Sequence, residues 1–465
     1  MSGKQKHIKG EEKISIWSRM TFVMLLVIPG FGMIAYGTVD TWALSLITIM
    51  TAVMLLMRIA DGFQSGELKF SSSGLQIPII GLILLACVQL LPLAAPLPAE
   101  LIAGAHRNSL SLDPYATRFW LIKAIIVLVY FSTALIEINT KRRAKQLVFG
   151  IVIFGTAMAF FGIAQDLINP GSIYGLRPTP QAISFGPFVN RHHFAGFMEM
   201  TIGLTLSILL CGGTKPDKRP FLIFAVTIMG VAAVMISSRG GMLSIAGVTA
   251  FVIAANFFTK SKSKESANGR FRTKLTVAAV AIALVLGIFG TVIFLGSGDA
   301  VIRGIGAAEA ADVSNGRFHF WTVSAKIIAA NPIIGVGFDA FGSAFTKFDS
   351  WNGTYRIEQA HNDYIQMLTD GGIFGFVLIA AFMWLFLRNG SRNITSASEG
   401  FHRSAVIGSF AGCLGIMIHS FFDFPLRTNS NLFFFVLLVS IAMLPNALFQ
   451  HHSRRRSNVN EPLQE

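Results

Sequence analysis

Long apolar runs separated by short polar stretches dominate the chain, and twelve of them are read as membrane-spanning helices. They fall at about Thr21–Tyr36, Trp42–Met57, Ile77–Leu93, Phe119–Ile136, Leu147–Ile168 and Phe194–Leu210. The remaining six fall at about Phe221–Ile236, Met242–Phe258, Leu275–Leu295, Asp363–Leu387, Ser404–Phe421 and Leu432–Phe449. The expected fold is therefore an all-α polytopic membrane protein with a large loop at 296–360 between the ninth and tenth spans. That loop carries its own helical patterns. GRFHFWTVSAKIIAAN starts a helix near Arg317 and is stopped by Asn331-Pro332. In FDAFGSAFTKF, Phe338, Phe341, Phe345 and Phe348 recur near helical spacing, which predicts an amphipathic helix lying on the membrane surface; a packed extramembrane subdomain is the alternative.

Composition agrees with this reading. The chain has 465 residues, 53% of them hydrophobic and only 13% charged, with a mean hydropathy of +0.60. Soluble domains carry about 25% charged residues. The net charge of +14 is mostly topology, because most of the 38 Lys and Arg residues lie in alternate loops and at the two termini. The positive-inside rule puts those loops and both termini in the cytoplasm, and nucleic acid is not an expected partner. Residues 1–19 then form a cytoplasmic segment, read with the first span as an uncleaved anchor, and 450–465 a cytoplasmic tail. Segments 93–118, 165–193, 237–241 and 296–360 share the opposite side. This parity depends on splitting the run 221–258 at Arg239. Three cysteines inside or at the ends of apolar runs give no disulfide framework or zinc pattern, and no Walker A sequence is present.

The unusual polar residues collect on that far side. His361 stands at the mouth of the tenth span in AHNDYIQMLTDGGIFG, with Asn362 and Asp363 beside it. Gly372 falls on the same helical face as His361, and Gly371 and Gly375 form a small-xxx-small pair suited to close helix packing. Arg239 lies between two spans, followed by Gly240 and Gly241, whose bare backbone could approach an anion. Arg191 and Arg317 are further far-side cations, and converging arginines suit a phosphate or diphosphate. Asn190-Arg191-His192-His193 precedes the sixth span, where the adjacent imidazoles point about 100° apart and are poorly placed to share a metal. His419 and Asp423 are spaced i, i+4; the pair could hold a metal, or Asp423 could pair with an arginine or orient an imidazole.

Four segments together resemble the O-antigen ligase family. Arg239-Gly-Gly-Met-Leu243 resembles its Arg-x-x-x-Leu motif, and His361-Asn362 followed by Gly372 and Gly375 resembles its His-Asn-x9-Gly-x-x-Gly motif. Residues 316–341 resemble its large periplasmic loop, with Arg317 at a functional arginine, and HSFFDF resembles its late His/Asp segment. The likeness covers about 185–430; residues 1–170 match only as hydrophobic spans, with 20–184 holding the N-terminal membrane helices and 431–449 the last span. His192 departs from the pattern, where relatives more often carry Asn.

The resemblance implies a glycosyltransferase of the bacterial inner membrane with a periplasmic active site, metal-independent, inverting and without a cofactor. Its donor would be a glycan on undecaprenyl diphosphate, and its acceptor a hydroxyl of lipid A-core or a polysaccharide, with other assembly proteins as further partners. His361 would be the base, with Arg239 and Arg317 on the diphosphate. Asn190, Arg191, His193, Asn362, His419 and Asp423 would contribute to substrate binding. A repeat-unit polymerase and a protein O-oligosaccharyltransferase share these features. From composition alone a secondary transporter also fits, though its charged groups should sit at mid-membrane rather than at one face; a scaffold of an export complex is a third class.

Overall fold

The computed structural model describes residues 14–93, 109–180, 182–258, 316–350, 356–398 and 400–450, with single helical positions at 275, 279 and 287. The ninth expected span and most of the loop before Gly316 lie outside the described residues. The other eleven expected spans are all helical: α1 (Ile16–Ile34), α2 (Thr41–Ser65), α3 (Gln76–Gln89), α4 (Pro114–Glu137), α5 (Lys141–Ile168), α6 (Arg191–Leu210), α7 (Arg219–Met235), α8 (Arg239–Phe258), α11 (Asp363–Ser396), α12 (Phe401–His419) and α13 (Asn429–Ala442). Two further helices, α9 (Arg317–Ala330) and α10 (Phe341–Phe348), precede α11, and a short α14 (Ala447–Gln450) follows α13. Nine helices among the described residues are long and apolar enough to cross a membrane, so the chain is a multi-pass membrane protein. α3 and α13, at 14 residues each, reach only about 21 Å at 1.5 Å per residue, short of a full bilayer core. A two-strand ribbon, Ser172–Ile173 paired with Arg177–Pro178, departs from the all-α pattern.

α6 is the centre of the bundle, enclosed from His193 to Leu210. It can be enclosed because its neighbours carry small residues where they cross it. A Cβ on Gly203 would lie 2.8 Å from the backbone nitrogen of Gly412, and one on Gly412 would lie 2.6 Å from the carbonyl of Met200. α6 and α12 therefore meet backbone to backbone, the arrangement that dispersion favours when lipid supplies no hydrophobic drive. α7 lies against α6 with Met229 near Thr201 and Ser238 near His192, hence antiparallel. α8 lies against it with Gly241 near Ala195 and Val248 near Gly203, hence parallel. The chain reverses at 236–238, where Ser237 takes φ +57°, and the division of the run at Arg239 is real.

Two expectations need correction. The phenylalanine face of α10 does not lie on a membrane surface: Phe338, Phe341 and Phe345 are fully buried, and Phe341 and Phe345 pack with Phe320, Val323 and Ile327 of α9. The loop is a packed subdomain because α9 covers the apolar face that would otherwise need lipid. Nor is Gly372 part of a continuous helical stripe. Its backbone is at φ +60°, ψ −159°, and α11 breaks there. Into the break runs the segment 332–337: Ile373 N donates to Pro332 O at 2.9 Å, Val336 N to Thr369 O at 2.9 Å and Gly337 N to Asp370 O at 3.0 Å. Gln89 locks the joint, donating to Ile334 O (2.7 Å) and Asp370 O (2.8 Å) and accepting from Phe338 N (3.0 Å). The glycine spacing thus serves a docked loop, which supplies partners for backbone groups freed at the break.

A Cβ at 372 would meet Ile333 O at 2.4 Å in a backbone region that L-residues avoid, whereas one at Gly74 would meet nothing within 4 Å. Gly372→Ala should cost about 2 kcal/mol or more and lower the unfolding temperature in detergent, with Gly74→Ala close to wild type. Equal midpoints for the two variants would contradict the docking of the loop at the break.

Candidate active site

Four helices begin at one place. α6, α8, α9 and α11 start at Arg191, Arg239, Arg317 and Asp363. Their starts are tied together through side chains. His192 Nδ1 is 3.0 Å from the Ser238 hydroxyl, linking α6 to α8. Gly240 packs against His419 and Phe422, with a would-be Cβ at 2.8 and 3.1 Å, linking α8 to the turn after α12. That turn carries Asp423, which reaches both α9 and the residue preceding α11.

Asp423 is the hub. Its carboxylate is almost fully buried; Oδ1 accepts from His361 Nδ1 at 3.2 Å and from Phe424 N at 2.9 Å, and Oδ2 lies 3.5 Å from the Arg317 guanidinium. Burial opposes its ionisation. The hydrogen bond from His361 and the charges of His192, His361 and His419 outweigh that and hold the carboxyl well below the ordinary carboxylate range. Asp423 thus orients the His361 imidazole and pairs with Arg317, while the His419 ring faces Glu199 instead.

His361 takes φ +51°, a left-handed conformation uncommon for a residue with a Cβ. Its ring is clamped by Phe320 on one side (centroids 5.7 Å apart) and the edge of Phe424 on the other (4.8 Å). With Nδ1 turned to Asp423, the Nε2–H-free tautomer presents its lone pair outward, and the side chain is 32% exposed. Arg317 is 25% exposed and Arg239 half-buried, so three of the residues singled out by sequence stand at the opening.

The others play different parts. Asn362 caps α11, accepting from Tyr364 N and Ile365 N at 3.0 Å each, and donates to Phe421 O at 3.0 Å, which staples the start of α11 to the turn after α12. Asn190 caps α6 through His192 N at 2.9 Å. Arg191 opens α6 beside His192. His193 is enclosed against Phe424, ring centroids 4.9 Å apart, and His419 is enclosed behind Gly240. The glycines after Arg239 make room for packing: a Cβ on Gly241 would lie 3.2 Å from Glu199 Oε1.

Sequence reasoning passed over two groups. Arg427 binds Asp370 at 2.7 Å, Asp339, and more distantly Asp363 at 4.0 Å; Lys123 adds a second cation on Asp339 at 3.2 Å. Against the cost of burial, Lys123 and Arg427 hold Asp339 below the ordinary carboxylate range, and the carboxylates in turn raise Arg427. This network fixes the loop before α10, the start and break of α11, and the turn before α13 as one unit. Beside it runs a largely apolar cavity of about 180 Å³ between α3, α4, α11, α12 and α13. The second group is Glu199, a carboxylate in the middle of an apolar run. An ionisable residue at membrane depth is itself a functional signal.

Residues 224–380 match a family model described as O-antigen ligase. The match takes in Arg239, Arg317, His361, Gly372 and Gly375, and stops short of the α6 start and Asp423. No curated protein matches the chain.

Because Asp423 is held below its unfolded value of about 3.9, its ion pairs stabilise the fold above that pH and are lost as pH falls toward the folded value. Wild type should therefore exceed Asp423→Asn in unfolding temperature at pH 7, and the gap should close on acidification below about pH 4. A gap that is constant or widens toward acid would contradict the ionised hub.

Proposed function

From the O-antigen ligase domain at residues 224–380, whose family consists of glycosyltransferases, we propose that this chain moves a glycan from undecaprenyl diphosphate to an acceptor hydroxyl. The donor phosphates sit at the shared start of α6, α8 and α9. The observation that carries this reading is the charge placed there. Arg191, Arg239 and Arg317 each open a helix whose first turn has no acidic residue. A cation at a helix N-terminus opposes the helix dipole by about 0.3–1 kcal/mol, so three such placements at one point make physical sense around a bound anion. Arginines fit the bridging and terminal oxygens of a diphosphate bidentately.

His361 is the base. Asp423 orients it through Nδ1 and stabilises the imidazolium once formed, the role a buried carboxylate plays beside a catalytic histidine. Nε2 takes the acceptor proton as the acceptor oxygen attacks the anomeric carbon from the face opposite the diphosphate, giving inversion. Arg239 and Arg317 take up the charge that develops on the leaving oxygen; Arg317, held by Asp423, couples the leaving-group side to the base. Twelve spans with cytoplasmic termini put the site on the periplasmic face, a reading that the basic loops at the opposite helix ends support. Lipid A-core or a growing polysaccharide is the acceptor class.

Deletion of the gene followed by analysis of surface glycans and lipid-linked intermediates tests this reading. Loss of long glycan from lipid A-core with full-length lipid-linked polymer accumulating supports ligation; accumulation of single repeat units shifts the acceptor to the growing chain. No change in either species would defeat glycan transfer altogether. On complementation, His361→Ala, Arg239→Ala and Arg317→Ala should each lower transfer by about 10²-fold or more; full activity in all three would remove the site.

A further inference from the structure

Behind the opening lies a second set of ionisable groups that the mechanism above leaves unused. Glu199, on α6, and His419, at the end of α12, are 0% and 1% exposed. His419 Nδ1 stands 2.7 Å from Glu199 Oε1, a charge contact without an aligned hydrogen bond. Burying such a pair is expensive, and a well-packed apolar pair of the same volume is commonly as stable or more so. The surroundings are nevertheless built around it. Gly240 is bare where a Cβ would lie 2.8 Å from the His419 ring, and Gly241 where one would lie 3.2 Å from the Glu199 carboxylate.

The pair also has an exit. The Ser238 hydroxyl lies 3.5 Å from His419 Nε2, 3.0 Å from His192 Nδ1, and accepts from Gly241 N at 3.2 Å. A hydroxyl has one hydrogen and two acceptor sites. Gly241 N–H fills one acceptor site, His419 Nε2–H the other, and the hydrogen points to His192 Nδ1. His192 is then left with its Nε2–H, half-buried beside Arg191 at the opening. Asp423, Arg191, His419 and Arg317 are the charged groups acting on His192; Asp423 and Asp363 act with Glu199 on His419; and Ser244 of α8 is the other polar neighbour of Glu199.

We propose that His192 is the general acid for the departing diphosphate, recharged through Ser238 from a protonated His419 that Glu199 stabilises. This rests on the lipid-diphosphate reading of the site. As the anomeric carbon–oxygen bond breaks, His192 Nε2–H passes to the leaving phosphate oxygen. His192 Nδ1 takes the Ser238 hydrogen, and Ser238 takes the Nε2 proton of His419. One proton moves from the His419 imidazolium to the diphosphate, and His419 ends neutral with Nδ1–H toward the Glu199 carboxylate. The acceptor proton goes to His361 and leaves to water; once the diphosphate has left, His192 Nε2 takes a proton from water at the opening, Nδ1–H returns through Ser238 to His419 Nε2, and the starting state is restored. His192 is the catalytic residue here; Ser238, His419 and Glu199 are positioning residues.

Glu199→Gln is isosteric, and if the pair served packing alone it would leave turnover unchanged. The relay predicts a fall in kcat of about 10–100-fold for Glu199→Gln and for Ser238→Ala, with KM within about twofold. The double variant Glu199→Gln/His419→Gln should be no slower than His419→Gln, because both break one path. A second readout needs no turnover. Histidine-labelled 15N NMR of the full-length protein should show His419 passing from imidazolium to neutral on binding undecaprenyl diphosphate in wild type, and unchanged in Ser238→Ala. Wild-type kcat in Glu199→Gln, or the same His419 change in wild type and Ser238→Ala, would overturn the relay. A wild type that binds the lipid diphosphate with this change at His419 yet transfers no glycan would count against the transferase reading and leave the relay standing.

Discussion

One buried carboxylate sets the geometry of the site. Asp423 cannot be left unpaired in its enclosed position, since an uncompensated buried charge costs several kcal/mol. Its two oxygens therefore draw in His361 from the start of α11 and Arg317 from the start of α9. Those two residues are separated by the whole α9–α10 subdomain in sequence and have opposite requirements: the histidine must be neutral to act as a base, while the arginine is always charged. A single ionised carboxylate satisfies both, fixing the imidazole tautomer with one oxygen and the guanidinium position with the other. The strain at His361, φ +51°, is what this convergence requires, and the ring is held there by Phe320 and Phe424.

The rest of the molecule keeps that convergence rigid. The α9–α10 subdomain is attached at three points outside the Asp423 contacts: the segment 332–337 docks into the break at Gly372, Gln89 bridges both, and Arg427 collects Asp339, Asp363 and Asp370. Arg317 is thus carried by a body fastened to α11, the helix that carries His361. On the other side, the α6–α12 contact at Gly203, Gly408 and Gly412 lets two helices approach closely enough for His192 and His419 to share Ser238. Charge, glycine spacing and helix starts all serve the same opening.

Much of this could be read from the sequence, and the reasons differ by element. The spans were legible because hydropathy is a sum over many residues and tolerates local error; the division at Arg239 was legible because an arginine and two glycines interrupt an apolar run. His361, Arg239 and Arg317 stood out as isolated far-side cations and imidazoles. The function of Gly372 was misread because helical periodicity assumes a continuous helix, and only the docked loop reveals the break. The placement of α10 was misread because an amphipathic pattern states that a face is covered and not by what. Asn190 and Asn362 cap helices, a role that spacing beside reactive residues obscured. Arg427 sits in a Pro-Leu-Arg turn with its three carboxylate partners 57 to 88 residues away in sequence, beyond any local pattern. Glu199 did leave a signal, a carboxylate alone in a buried span.

The central claim is that a lipid diphosphate lies at the joined starts of α6, α8 and α9 with its sugar toward His361. A cryo-electron-microscopy structure of the full-length protein bound to undecaprenyl diphosphate in a lipid nanodisc tests it directly. The account predicts phosphate oxygens within hydrogen-bond distance of Arg239 and Arg317, and His361 Nε2 on the opposite side of the sugar position. Phosphate density away from both arginines, with His361 still turned to Asp423, would contradict it.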